Sequence, residues 1–152
     1  MRLAATALLF ALAAGCSHKS TDHQIAKDEA QKLLIDRNWI DHWPTSKTDK
    51  LHVYRFVPTM GGGVFQDRTV FKGTFELFQF ILDGDQIQFD LPETGERVRS
   101  QYRIDKVDGP HPFDLKLTVY NDPRGPIEYY GILGEHDPDG MKLEQAFAPL
   151  KK

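Results

Sequence analysis

The chain has 152 residues, which is enough for one domain with a substantial core. Its composition, 40% hydrophobic and 27% charged, argues against disorder and against a multi-span membrane protein. The formal net charge of −3 offers no positive face, so we expect no nucleic-acid partner. Ten Phe, five Tyr and two Trp favour β-structure, because aromatic side chains pack well across strands.

Residues 1–16 have the pattern of an export signal. Arg2 is followed by an uncharged, mostly apolar stretch over residues 3–14, which is too short for a membrane-spanning helix of about 20 residues. The stretch ends in Leu-Ala-Ala-Gly-Cys at residues 12–16 and resembles the bacterial lipobox, although the family's usual Leu three places before the cysteine is Ala13 here. The resemblance implies cleavage after residue 15 and lipidation of Cys16.

Cys16 is the only cysteine, so no disulfide can form within one chain. We expect a signal peptide at 1–15, a lipidated terminus and tether at 16–20, and a single β domain with an N-terminal helix at 21–152. Two or three acyl chains would anchor Cys16 stably in a membrane. Ser17, in place of the Asp that resembles an inner-membrane retention signal, favours the outer membrane. The alternative is an ordinary signal peptide that leaves Cys16 as a free thiol.

One helix is predicted, at residues 21–37. Thr21 and Gln24 have capping-box spacing, and apolar residues recur behind them at helical intervals. From residue 38 onward the apolar period is two, with turn residues every eight to twelve positions. The predicted strands cover residues 39–43, 51–57, 64–71, 74–82, 86–91, 97–104, 113–120, 127–133 and 141–147.

These strands follow one another through short turns, which indicates an antiparallel up-and-down barrel of about eight strands, since closure removes exposed sheet edges. A helix before a first strand that carries a tryptophan resembles the lipocalin-like (calycin) superfamily. The Gly-x-Trp motif of that superfamily corresponds to residues 37–39, Arg-Asn-Trp, without the glycine. The resemblance implies a barrel that holds one small ligand or is filled by side chains. A β-sandwich of the same strands is the alternative.

The sequence supports no catalytic or metal site. The histidines are nowhere spaced i,i+2 or i,i+4 along the chain, as metal ligands often are. No Gly-x-Ser-x-Gly motif is present, and Cys16 is taken by the predicted anchor. The three glycines at 61–63 lack the lysine and the strand-to-helix setting of a phosphate loop. We therefore expect no enzyme, no metal and no cofactor.

Two polar residues interrupt the apolar faces of predicted strands. Arg55 lies within the strand at 51–57, and Gln79 lies within the strand at 74–82. If these faces point into the barrel, both residues are candidate ligand-binding residues, because an inward charge is costly unless it is paired or meets a ligand. The alternative is that both strands face outward at these points, against the predicted N-terminal helix or the membrane side.

The expected function is that of a lipid-anchored protein of the cell envelope, facing the periplasm or the exterior, that binds a small apolar molecule in its barrel. The alternative is a non-enzymatic structural or protein-interaction module with a filled barrel, whose partner is another envelope protein. The strand pattern does not separate these hypotheses, because an aromatic-rich interior suits a filled core and a cavity alike.

Overall fold

The structure is a computed structural model that describes residues 23–71 and 73–152. The predicted signal peptide, the lipidation of Cys16 and the tether lie outside these residues. The elements in chain order are strand β1 (His23–Gln24), helix α1 (Lys27–Leu34), strands β2 (Trp39–Ile40), β3 (Leu51–Val57), β4 (Gly62–Arg68), β5 (Gly73–Asp83), β6 (Gln86–Leu91), β7 (Glu96–Lys106), β8 (Leu115–Tyr120) and β9 (Glu128–Gly131), and helix α2 (Met141–Phe147). Short 3-10 turns follow β3 and α2.

Strands β2 to β9 form a closed antiparallel barrel in which each strand pairs with the next and β9 pairs with β2. The closing contact is short, since Ile40 of β2 pairs with Tyr130 of β9. The additional strand β1 pairs with the end of β7, at Asp105 and Lys106. The predicted up-and-down barrel is therefore confirmed, and the alternative of a β-sandwich is wrong.

Alternation along the strands decides which side chains point inward. In β6 the buried residues are Ile87, Phe89 and Leu91, and the residues between them are only partly buried. The cross-strand register carries this inward face around the barrel, where Phe89 pairs with Phe80 on one side and with Val98 on the other. The alternation predicted for these strands is confirmed.

The last predicted strand, residues 141–147, is wrong, because this segment forms α2. Its buried residues, Leu143 and Phe147, stand four positions apart, which is one helical turn. The alternation that suggested a strand depended on Met141, whose side chain is 59% exposed. The chain therefore has a second helix, which packs on the outside of the barrel against Leu51, Val53 and Phe113.

The predicted N-terminal helix is shorter than expected and begins at Lys27. Gln24, one half of the predicted capping box, lies in β1, and Thr21 is outside the described residues. Ile25 N donates to Ile104 O at 2.9 Å, so the residues before the helix hydrogen-bond to the edge of β7 instead. Leu34 of α1 joins the apolar core of the barrel, and Gln31 reaches the β5–β6 turn.

The interior of the barrel is filled by aromatic rings. Phe56, Phe78 and Phe89 have ring centroids 5.4 to 6.2 Å apart. Tyr54 lies 5.4 Å from Phe56 and 5.7 Å from Phe78, which are separations typical of packed aromatic pairs. Residues 23–152 contain the closed barrel, its aromatic core and the outer core beneath α2.

Candidate functional site beneath the C-terminal helix

The mouth of the barrel, at the end away from α1, is closed by the β8–β9 loop. Asp122 of this loop accepts hydrogen bonds from the inward-facing Tyr54 Oη at 2.8 Å and Tyr129 Oη at 2.6 Å. Burial, and then the Asp122 carboxylate, raise the pKa of both tyrosines, so their hydroxyls stay protonated and donate. Arg124 pairs with Glu76 of β5, the strand opposite β9, and this ion pair therefore crosses the mouth.

Arg55, a predicted ligand-binding residue, points outward from β3 and is nevertheless only 7% exposed. The turn before α2 covers it, and Arg55 Nη2 donates to Asp137 O at 3.0 Å and to Pro138 O. A Cβ at Gly140 would lie 2.7 Å from Arg55 Nη1, and the φ of Gly140 is +73°, so both the contact and the turn favour glycine. Arg55 therefore faces outward, as the second alternative has it, but it is covered by the turn before α2 and not by the predicted N-terminal helix.

Gln79, the other predicted ligand-binding residue, lies on the exposed outer face of β5. It lines a separate surface depression of about 300 Å³ together with Met60 and Leu77. The structure does not bring Gln79 and Arg55 together, and neither side chain points into the barrel. Their assignment to ligand binding stays a prediction.

Asp137 fixes the start of α2 against the barrel. Its carboxylate accepts hydrogen bonds from Lys142 N and Leu143 N, both at 3.2 Å, and from Asn38 Nδ2 at 2.8 Å. Burial opposes ionisation of this carboxyl, but the hydrogen bonds from Asn38 and the α2 backbone outweigh it, and the pKa of Asp137 is lowered. The helix is thus held by a charged, hydrogen-bonded group as well as by its apolar face.

A pocket of about 340 Å³ lies between α2, the β2 region and the segment that follows β9. Trp43 packs against Phe113 and Phe147, with ring centroids 6.2 and 5.5 Å away, and so fixes the aromatic part of the wall. The volume is within the range of small-molecule sites, roughly 300–1,000 Å³. The apolar residues of the lining are Ile40, Trp43, Phe113, Ile132, Leu143 and Ala146.

Two polar residues lie side by side in the wall of this pocket. Asn38, only 2% exposed, donates from Nδ2 to the Glu135 carboxylate, and its Oδ1 has no partner among the described residues. Burial raises the pKa of Glu135, and the charge of Asp137 adds to this effect, while Asn38 and Arg37 oppose it. The pocket therefore combines an apolar lining with a carboxyl group that keeps its proton to a higher pH than an ordinary glutamate.

Within residues 23–71 and 73–152, no group of three or more His, Cys, Asp or Glu residues is placed to hold a metal ion. In the same part of the chain, no helix combines the length and the apolar character needed to cross a membrane.

Comparison of the chain with protein-family models, with curated proteins and with solved structures gives no match. The site must therefore be interpreted from its own chemistry, since a barrel alone does not define a function. Sequence reasoning missed Asn38 and Glu135 as site residues because it took the segment at 141–147 for a strand. The signal that could have revealed the helix is the pair Leu143 and Phe147, one helical turn apart and shortly after Asp137.

Proposed function

We propose that the chain is a non-enzymatic, lipid-anchored protein of the bacterial cell envelope that binds a small, largely apolar molecule. In this proposal Cys16 carries the lipid, the fold is lipocalin-like, and the ligand occupies the pocket beneath α2. The lipobox-like residues 12–16 support the anchor. The observation that carries the binding role is the apolar pocket of about 340 Å³ with Asn38 and Glu135 in its wall.

The packing of the interior favours this outer pocket over the inside of the barrel. A ligand in the interior would have to displace rings such as Phe56 and Phe78, which are 0% and 2% exposed. It would also have to pass the ion pair between Arg124 and Glu76 at the mouth. The pocket beneath α2 requires neither change, because it already has an opening to solvent.

The lining of the pocket defines the class of ligand. The rings of Trp43 and Phe113 and the side chain of Ile132 suit an aliphatic or aromatic body. Glu135 has one carboxylate oxygen held by Asn38, and the carboxyl group can bind a hydroxyl, amide or amine of the ligand. We therefore favour a small molecule with a large apolar part and one hydrogen-bonding end.

Titration with N-phenyl-naphthylamine, whose fluorescence rises in apolar surroundings, tests this site on the segment 17–152, which contains the whole described fold. Ala146→Trp places an indole at the edge of the pocket from the exposed side of α2, and we expect it to weaken binding by about tenfold or more. Leu77→Ser is the matched control, because Leu77 lines the separate depression on β5. Equal affinity in Ala146→Trp and the parent, or a loss only in Leu77→Ser, would contradict the site.

The filled barrel favours a second candidate function, a structural or protein-interaction module of the envelope. The ring contacts of Tyr54, Phe78 and Phe89 make the interior a solid support. A solid barrel presents its outer walls, and the apolar outer face of β5 is then its working surface. Failure of every pocket probe, with the domain folded, would favour this second function.

A further inference from the structure

The outer face of β5 carries a row of apolar side chains. Phe75, Leu77 and Ile81 are 66%, 54% and 62% exposed, and they alternate along the strand as outward-facing residues do. Met60 and Phe71, which flank this row in the neighbouring turns, are 66% and 53% exposed. Five of the nine large apolar residues that are exposed in the described part of the chain thus belong to one wall. Clustering of this kind marks an interaction surface.

Arginine side chains border the apolar row on the side of β7. Arg97 Nε lies 3.2 Å from Asp90 Oδ2, and the Arg97 side chain is 74% exposed. Arg99 Nη2 donates to the neutral amide oxygen of Gln88 at 3.2 Å. Exposed pairs of this type are weak, so both guanidinium groups can exchange these partners for phosphate oxygens, which they bind in a bidentate manner. We call the outward-facing residues of β5 to β7, together with Met60 and Phe71, the β5–β7 wall.

The N-terminal part of the chain joins this same wall. His23 pairs with Lys106 of β7, on the edge of β7 that also pairs with β6. His23 lies seven positions after Cys16, and an extended chain over seven positions reaches at most about 25 Å. A lipid on Cys16 would therefore hold the β7 side of the barrel within that distance of the membrane.

We propose that the β5–β7 wall rests on the phospholipid bilayer to which Cys16 is anchored. The apolar row enters the boundary between headgroups and acyl chains, and Arg97 and Arg99 contact lipid phosphates. This inference rests on the lipid anchor of the proposed function. It also orients the molecule: β2 stands opposite β6 in the eight-stranded ring, so the pocket beneath α2 faces away from the membrane.

Lipid-borne quenching tests this orientation in the full-length protein after its export and lipidation in a bacterium. Because Cys16 would be blocked by its thioether, a fluorophore is attached to a single new cysteine, in Gln79→Cys on β5 or in Gln145→Cys on α2. Both positions are exposed. The protein is placed in vesicles of phosphatidylethanolamine and phosphatidylglycerol that contain a nitroxide-labelled lipid. We expect quenching at position 79 to exceed that at position 145 by about threefold or more.

Variants of the wall identify the contacts. Combined with Gln79→Cys, the double substitution Leu77→Ser and Ile81→Ser should reduce quenching to the level at position 145. Leu133→Ser, which removes an exposed apolar side chain elsewhere, should leave quenching unchanged. Arg99→Gln should lower it in vesicles with phosphatidylglycerol and less in vesicles of phosphatidylcholine alone, since the anionic lipid adds electrostatic attraction.

Equal quenching at positions 79 and 145 overturns the orientation, as does quenching at 79 that survives the double substitution. A probe at 79 that is shielded from water but not quenched by lipid, in a protein that cross-links as a dimer, would assign the wall to a second copy. The mass of the same purified protein reports the acyl chains on Cys16. Missing acyl chains would refute the anchor, whereas acylated protein without selective quenching would refute only the docking.

Discussion

The barrel has two apolar outer walls, and within residues 23–71 and 73–152 the chain covers one of them and leaves the other exposed. On the wall of β2 and β3, Ile40, Leu51 and Val53 point away from the interior and are at most 3% exposed, because α2 and its neighbouring segments pack over them. On β5, Phe75 and Leu77 point outward in the same way but are more than half exposed. An apolar strand face therefore does not by itself distinguish the barrel interior from an apolar outer wall.

The two walls should contribute differently to stability. Side chains beneath α2 leave water when the chain folds, so their burial favours the folded state. The outward-facing side chains of β5 stay largely in water in the isolated domain, and their removal should change the free energy of unfolding very little. Substitutions on the two walls test this contrast directly.

The largest effect is expected from removing the aromatic anchor of α2. Phe147→Ala deletes a ring that is 0% exposed, and it should lower the free energy of unfolding by about 3–5 kcal/mol. The matched substitution on the exposed face of β5, Phe75→Ala, should change the free energy of unfolding by no more than about 0.5 kcal/mol. Urea unfolding followed by circular dichroism measures both values. Similar losses in the two variants would mean that β5 is also covered in the isolated domain.

A smaller effect is expected at the start of α2. Asp137→Ala removes the acceptor of two backbone N–H groups and of Asn38, and we expect a loss of about 1–3 kcal/mol. Asp139→Ala, an exposed carboxylate in the same turn, is the control and should be nearly neutral. The readout is the same urea transition, and equal values for the two variants would disprove the capping role of Asp137.

The smallest effect is a pH dependence that comes from Glu135 in the pocket beneath α2. Burial raises the pKa of Glu135, so the folded protein keeps a proton that the unfolded chain releases near its ordinary value of about 4.3. Stability therefore falls as the pH rises from that value through the raised pKa. Glu135→Gln cannot ionise, and its stability relative to the parent should increase over this interval and then level off. A difference that is constant with pH would count against the assignment.

The sequence was sufficient to predict the barrel because alternation is a local property. The bounds of β3 and β6 match their predicted ranges, since each strand lies between clear turn residues. The predicted strand at 141–147 failed because seven residues are compatible with both periods, and only the packing of Leu143 and Phe147 selects the helix. The exposure of Met141 could not be read from its identity.

The site was harder to predict than the fold. Arg55 was recognised as unusual from its apolar neighbours, but its partners, the carbonyl oxygens of Asp137 and Pro138, are more than 80 positions away. Asn38 and Glu135 meet only because β2 closes the barrel beside β9. Contacts of this kind depend on tertiary placement, and no local sequence pattern predicts them.

Barrel closure at β2 also has a mechanical consequence. This strand has two residues and makes a single paired contact with β9, so one residue pair closes the barrel at this point. The indole of Trp39 fixes β2 to the end of α1 from inside the barrel, because its Nε1 donates to Leu34 O at 3.0 Å. Ile40 of β2 and Ile132, which directly follows β9, both line the pocket beneath α2. A molecule that fills the pocket contacts both of these residues, so its binding energy opposes separation of β2 from β9 and opening of the barrel.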